Sequence, residues 1–169
     1  METLVSAIAA DLVSPAPFAD EADRLAAFVP LLGSWDLRFV YRRANGERTE
    51  GTGRLHFGWG LGGRAIVDVW AFEGGVVGTT IRFYDPQIDG IRSTWICPAR
   101  NAVVPFIGRL VGGRIMLNAR TDYPPGRRVR WSFVSIEAAR FSWTGEVSDD
   151  EGANWFLNQE IEGVRRSIA

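Results

Sequence analysis

The sequence predicts an all-β, antiparallel up-and-down barrel of about nine or ten strands behind a short N-terminal helical segment. Three observations carry that expectation. From Gly33 onward, apolar and polar residues alternate with a period of two, the pattern of half-buried strands. Clusters of Gly, Asn, Asp and Pro interrupt the alternation at strand-length intervals. Helical periodicity is confined to the start of the chain, and a meander this long leaves two open edges unless it closes on itself.

Residues 1–30 read as the helical segment and residues 31–169 as the barrel domain. Residues 2–12 suit a short amphipathic helix, broken by Ser14-Pro15-Ala16-Pro17. A second helix is expected with Asp20 as its cap and Asp23 in its first turn. Its apolar stripe is Ala22, Leu25, Ala26 and Val29, and Pro30 ends it. The first strand follows, with Trp35, Leu37, Phe39 and Tyr41 alternating with Asp36, Arg38 and Arg42. Asn45-Gly46 is a strong hairpin signal, because both positions tolerate positive φ. The return strand, 48–59, carries Leu55, Phe57 and Trp59 on one face and Arg54 and His56 on the other.

Gly60-Leu61-Gly62-Gly63 has no helix after it, so it reads as a hairpin turn and not a phosphate cradle. Strands are expected over 64–72, 76–84 and 91–97, separated by Glu73-Gly74-Gly75 and by Asp85-Pro86 with Asp89-Gly90. Residues 98–105 read as a longer loop. Strands 107–111 and 114–121 pair around Gly112-Gly113, and Tyr123-Pro124-Pro125-Gly126 turns into Val129, Trp131 and Phe133. Residues 140–147 and 154–164 form the last hairpin.

The stretch joining that hairpin, Ser148-Asp149-Asp150-Glu151-Gly152-Ala153-Asn154-Trp155, is similar to the Asp-box turn of sialidases and other propellers. It occurs once, with Asn154 where the box has Thr. Ser148 and Asp150 can accept hydrogen bonds from turn amides, and Gly152 can supply a positive φ. It is therefore read as a hairpin turn without sugar chemistry. Its acidic residues also lack the spacing of a calcium loop.

Gly33-Ser34-Trp35, opening the first strand after a short helix, resembles the G-x-W motif of lipocalins. Further features are Gly60-Leu61-Gly62-Gly63-Arg64, Arg82-Phe83-Tyr84-Asp85-Pro86, and Phe141, Trp143, Glu146 and Ser148 leading into Gly152 and Trp155. Together they resemble a bacterial group of lipocalin-like (calycin) proteins of unknown function. The resemblance implies a barrel in which an Arg near the end of the last strand packs across the motif's Trp. Arg165 or Arg166 stands in the right place to cover Trp35, a contact worth about 0.5–2 kcal/mol. It supplies no activity. Related heme-binding nitrobindins use a histidine near the C-terminus, whereas this chain has no His after His56, so heme is not expected and no cofactor is assigned.

Composition narrows the chemistry. Apolar residues make up 46% of the chain, which excludes disorder. The net charge is -1 with no basic stripe, so nucleic acid is not an expected partner. Every Lys+Arg position is Arg, which removes lysine-based mechanisms. With Cys97 and His56 the single residues of their kinds, neither an internal disulfide nor an ordinary metal cluster is expected. No apolar run reaches the roughly 20 residues of a membrane span. The N-terminus carries Glu2 and Asp11 and lacks a basic leader, so the expected location is cytoplasmic. Nothing in the composition opposes a homodimer.

Asp68, His56 and Tyr84 are the catalytic candidates. Asp68 shares the phase of Ile66 and Trp70; pointing inward, its carboxyl would have a raised pKa and could act as acid or base. The alternative is an ion pair with an Arg on an adjacent strand, such as Arg82. His56 is the one side chain with an ordinary pKa near neutrality, although its phase opposes Leu55 and Phe57. A pair between Cys97 and His56 is not required by any spacing. Arg82 and Tyr84 alternate with Ile81 and Phe83 and could hold a carboxylate or carbonyl, or simply face solvent. Gln159 shares the phase of Trp155, Leu157 and Ile161 and reads as inward, whereas Glu146 reads as outward. Seven tryptophans are spread over seven strands, and several could line an apolar cavity.

These residues support the binding of a small, largely apolar molecule in the lumen. Trp59, Trp70, Arg82, Tyr84, Trp95, Trp131 and Gln159 are the expected contacts, and Trp35 and Arg165 the closure. Two alternatives stand beside it. One is a cofactor-independent isomerase, cyclase or hydrolase acting on a polyketide- or terpenoid-like substrate. The other is an interaction domain whose barrel is filled by its own tryptophans.

Overall fold

A computed structural model describes residues 4–167, so the first residues of the expected 2–12 helix and the last two of the 31–169 domain lie outside the described residues. Helix α1 (Leu4–Leu12) runs directly into β1 (Val13–Ser14). The barrel then forms from β2 (Gly33–Arg42), β3 (Arg48–Gly60), β4 (Ala65–Phe72), β5 (Val76–Asp85) and β6 (Gly90–Cys97). It is completed by β7 (Ala102–Val111), β8 (Arg114–Ala119), β9 (Arg128–Ile136), β10 (Arg140–Ser148) and β11 (Phe156–Arg165). Each of these strands pairs antiparallel with its sequence neighbour, and β11 pairs with β2 to close the ring. The result is the closed ten-stranded antiparallel barrel that the alternation predicts.

The barrel has two unlike ends. At one end the segment before β2 forms a plug. Residues Asp23–Leu31 form a 3-10 helix, so Leu25, Phe28 and Leu31, three apart, share one face and are fully buried. This corrects the α-helical stripe expected from Ala22, Leu25, Ala26 and Val29: Val29 is 44% exposed, and Pro30 lies inside the helix rather than ending it. The first 3-10 turn follows Phe18, and no side chain caps it, so Asp20 is not the cap.

β1 adds to the outer end of β3, with Val13 opposite Gly60 and Ser14 opposite Trp59. The chain then crosses the β3–β4 turn, where the Phe18 amide donates to the Gly63 carbonyl at 3.0 Å. Gly63 has φ +80, and a Cβ there would stand 2.4 Å from both Ala16 O and Phe18 N. Only glycine permits this crossing, so the Gly-rich turn docks the N-terminal segment.

One expected loop is largely strand. After a short turn at Pro98–Arg100 and a left-handed Asn101, β7 begins at Ala102 and includes Pro105. The proline is tolerated because β8 has ended its pairing at Ala119–Phe106, leaving no ladder bond for the missing amide to break. Arg120 N–H still donates to Pro105 O at 2.8 Å.

Candidate functional site

The inward faces of β4 to β11 surround a cavity of about 560 Å³ that opens opposite the plug. Its mouth includes Tyr41, from the end of β2, and Asn101, Asp122, Tyr123 and Pro124, from the turns after β6 and β8. Its wall is indole. Trp70, Trp95, Trp131 and Trp143 all line it, with centroids 6.1 Å apart for Trp70–Trp143, 5.5 Å for Trp131–Trp143 and 5.9 Å for Trp95–Trp131. Such offset and edge contacts are favourable for aromatic quadrupoles and hold the rings in a fixed arc. Gly78 makes room for one of them, since a Cβ there would meet the Trp95 ring at 2.2 Å.

Arg82 and Thr80 also line this cavity. The even residues of β5 point inward although they are the polar ones: Arg82 is 1% exposed and Phe83 43%. The reason lies on the neighbouring strand. Asp68 is fully buried between Ile66 and Trp70, and its Oδ2 stands 2.6 Å from Arg82 Nη2, close as charges but poorly aligned as a hydrogen bond. Its Oδ1 accepts the Thr80 amide at 2.9 Å. Burial pushes the Asp68 carboxyl up from its ordinary range, while Arg82 and Thr80 pull it back. Beneath Arg82 lie the rings of Phe28 and Phe57, with centroids 5.2 and 5.3 Å from the guanidinium carbon. The pair therefore sits between the plug and the lumen, and Asp68 is not part of the cavity wall.

The other residues singled out from the sequence are dispersed. Trp59 is buried in the core near β1 but does not line the cavity. Tyr84 lies at the plugged end, where its hydroxyl accepts from Arg24 at 3.1 Å and donates to Asp89 at 2.7 Å. His56 is exposed on the outer face of β3, with Nδ1 2.8 Å from Ser34 Oγ, and Cys97 is buried in the core. Trp155 packs outside the barrel, 4.1 Å below the guanidinium of Arg130, which also forms two 2.9 Å bonds to Glu146. Arg165, not Arg166, reaches across Trp35, at 4.1 Å; it also donates to Leu32 O at 2.7 Å, while Trp35 Nε1 donates to Leu31 O at 2.7 Å. Arg166 instead faces Asp36 on the surface.

Gln159 lines the cavity in phase with Ile161, but the phase does not extend to Leu157 and Trp155. Gly145 pairs with Gln159 and Glu146 with Leu157, so Asn158 is an extra residue in β11. The bulge adds Asn158 to the cavity beside Gln159, while Leu157 stands opposite the outward Glu146. Trp143, Thr80, Ser93 and Asn158 are the further inward groups. The first three have a sequence signal, because Trp143 shares the phase of Phe141, Thr80 that of Arg82, and Ser93 that of Trp95. Asn158 has none, because a bulge is invisible to a strict period of two.

No family model matches the chain, and no curated protein matches it. Two solved structures are similar in fold. One is Rv2717c from M. tuberculosis, with 18% identity, a TM-score of 0.61, and 88% of this chain and 100% of that chain covered. The other is the S-type phycobiliprotein lyase CPES from Guillardia theta, with 10% identity, a TM-score of 0.58, and 88% and 94% covered. Both are lipocalin-like barrels. The fold of this protein is a lipocalin-like, calycin barrel. Among the described residues, no helix is long and apolar enough to cross a membrane.

Proposed function

We propose that this lipocalin-like barrel holds a small, largely apolar molecule in its lumen. The observation that carries the reading is the cavity of about 560 Å³ walled by four indoles and open at one end. A volume of that order suits a compact organic ligand, and an aromatic wall with few polar groups is typical of such sites. The same cavity argues against a barrel filled by its own tryptophans. Carriage is favoured over catalysis by the state of the acid-base candidates. Asp68 is held by Arg82 and the Thr80 amide, His56 lies outside, and Tyr84 is tied to Asp89 at the far end. The setting we propose is the cytoplasm, where the buried thiol of Cys97 stays reduced.

Binding of the neutral probe N-phenyl-1-naphthylamine tests this. The expected result is saturable one-to-one binding with quenching of tryptophan emission, and Trp131→Phe and Trp143→Phe each weaken the quench. Probe emission that never saturates, with tryptophan emission unchanged, overturns the reading.

A further inference from the structure

Arg82, on the floor of the cavity, carries polar atoms that the protein leaves without partners. Arg82 is 1% exposed, yet its Nε and Nη1 donate to no protein acceptor. Ser93 stands directly opposite Arg82 in the β5–β6 register, is 2% exposed, and its Oγ is likewise unpartnered. Both positions share the inward face with Thr80 and Trp95; Arg82, Thr80 and Trp95 line the cavity, and Ser93 is buried outside its lining. Buried donors are almost always satisfied, and leaving several unsatisfied in one place is destabilising. The cluster asks for an acceptor that the chain does not provide.

The charge on the floor decides what kind of acceptor fits. Among the described residues, the buried charged side chains are Asp68, Arg82 and Asp85. Asp85 is engaged by Arg92 and by the Gln87 amide, in the turn after β5. Asp68 and Arg82 neutralise one another at 2.6 Å. A carboxylate added to that pair would bury a net negative charge, which is costly in a low-dielectric interior. A neutral oxygen accepts the same donors without that cost.

We infer that the lumen ligand presents a neutral acceptor oxygen, such as a ketone, aldehyde, ester or amide carbonyl, to Arg82. Its apolar body lies against Trp70, Trp95, Trp131 and Trp143. This rests on the binding reading above and specifies the head group of the molecule bound. Asp68 acts as a positioning residue, fixing the Arg82 guanidinium so that Nε and Nη1 stay available.

Three naphthalene probes of nearly equal size test it: 2-ethylnaphthalene, 2-acetylnaphthalene and the anion 2-naphthoate, titrated at pH 8 against tryptophan emission. The ketone is expected to bind about tenfold more tightly than the hydrocarbon, the gain of a hydrogen bond to a charged donor, and more tightly than the anion. The double variant Asp68→Leu with Arg82→Met removes the advantage while the hydrocarbon still binds. Equal affinity for ketone and hydrocarbon means that water alone satisfies these donors, and it overturns the inference while sparing the binding reading. Tightest binding by naphthoate overturns the neutral head. Saturable binding by none of the three overturns both.

Discussion

Arg165, in the last strand, holds its guanidinium 4.1 Å above the ring of Trp35, in the first strand of the barrel. The indole is fully buried and anchored by its own bond to Leu31 O, while Arg165 also ties down Leu32 O beside the plug. The contact thus joins the closing seam of the barrel to the lid over its end. Trp35→Ala is expected to cost about 3–5 kcal/mol, the range for deleting a large core aromatic. Arg165→Met is expected to cost about 1–2 kcal/mol through lost cation–π and hydrogen-bond energy. Arg166→Met, on an exposed pair, is expected to cost under about 1 kcal/mol. Urea unfolding of the three variants gives the order, and equal costs for Arg165 and Arg166 contradict it.

The Asp68–Arg82 pair is expected to behave as a buried ion pair does when halved. Arg82→Met alone strands an acid in the core and loses about 3–5 kcal/mol. The double variant Asp68→Leu with Arg82→Met, which leaves no charge behind, recovers most of that loss. A double variant no more stable than Arg82→Met refutes the electrostatic account.

Gly78 is a packing residue for the cavity. Because any Cβ there meets the Trp95 ring, Gly78→Val is expected to displace the indole toward the lumen. Overpacking of this kind costs about 1–3 kcal/mol. The useful readout is binding: naphthalene probes lose affinity, while Gly58→Ala, in β3 with open space where a Cβ would stand, leaves affinity unchanged.

Asp150 gives the fold an acid-sensitive hairpin. Its carboxyl accepts the Asn154 amide, then the Asn154 side chain and the Ser148 hydroxyl, which together pull its pKa from 3.8 to about 2. A folded pKa below the unfolded one means stability that is present above pH 3.8 and lost as pH falls toward 2. An NMR titration of Asp150 should show a midpoint near 2, and Asp150→Asn should lessen the acid sensitivity of the β10–β11 turn. A midpoint at the ordinary value would disprove the bonding described.

Much of this was legible residue by residue. The alternation through Trp35–Leu37 and Leu55–Phe57–Trp59 places the inward face of the first hairpin, and Asp68 shares that face with Ile66 and Trp70 as its phase requires. The β5 face was harder to read because Arg82 is a poor candidate for burial until Asp68 is known to wait beside it. The plug departed from its expected helix because the stripe Leu25–Phe28–Leu31 has a period of three, close enough to the α-helical period to be misread. Tyr84 shows the limit of phase alone. It follows Arg82 by two residues, but strand tilt carries it past the floor to the plugged end, where Arg24 and Asp89 take its hydroxyl.

The extra residue at Asn158 has a consequence for how such a barrel could change its ligand. One additional position in β11 sets two amide side chains, Asn158 and Gln159, side by side on the cavity. Deleting that residue would restore strict alternation, with Gln159 still facing the cavity and Leu157 still opposite Glu146, so the strand would offer one amide in place of two with no other residue altered. Ligand selectivity in this scaffold is therefore open to revision by the length of a strand as well as by its letters.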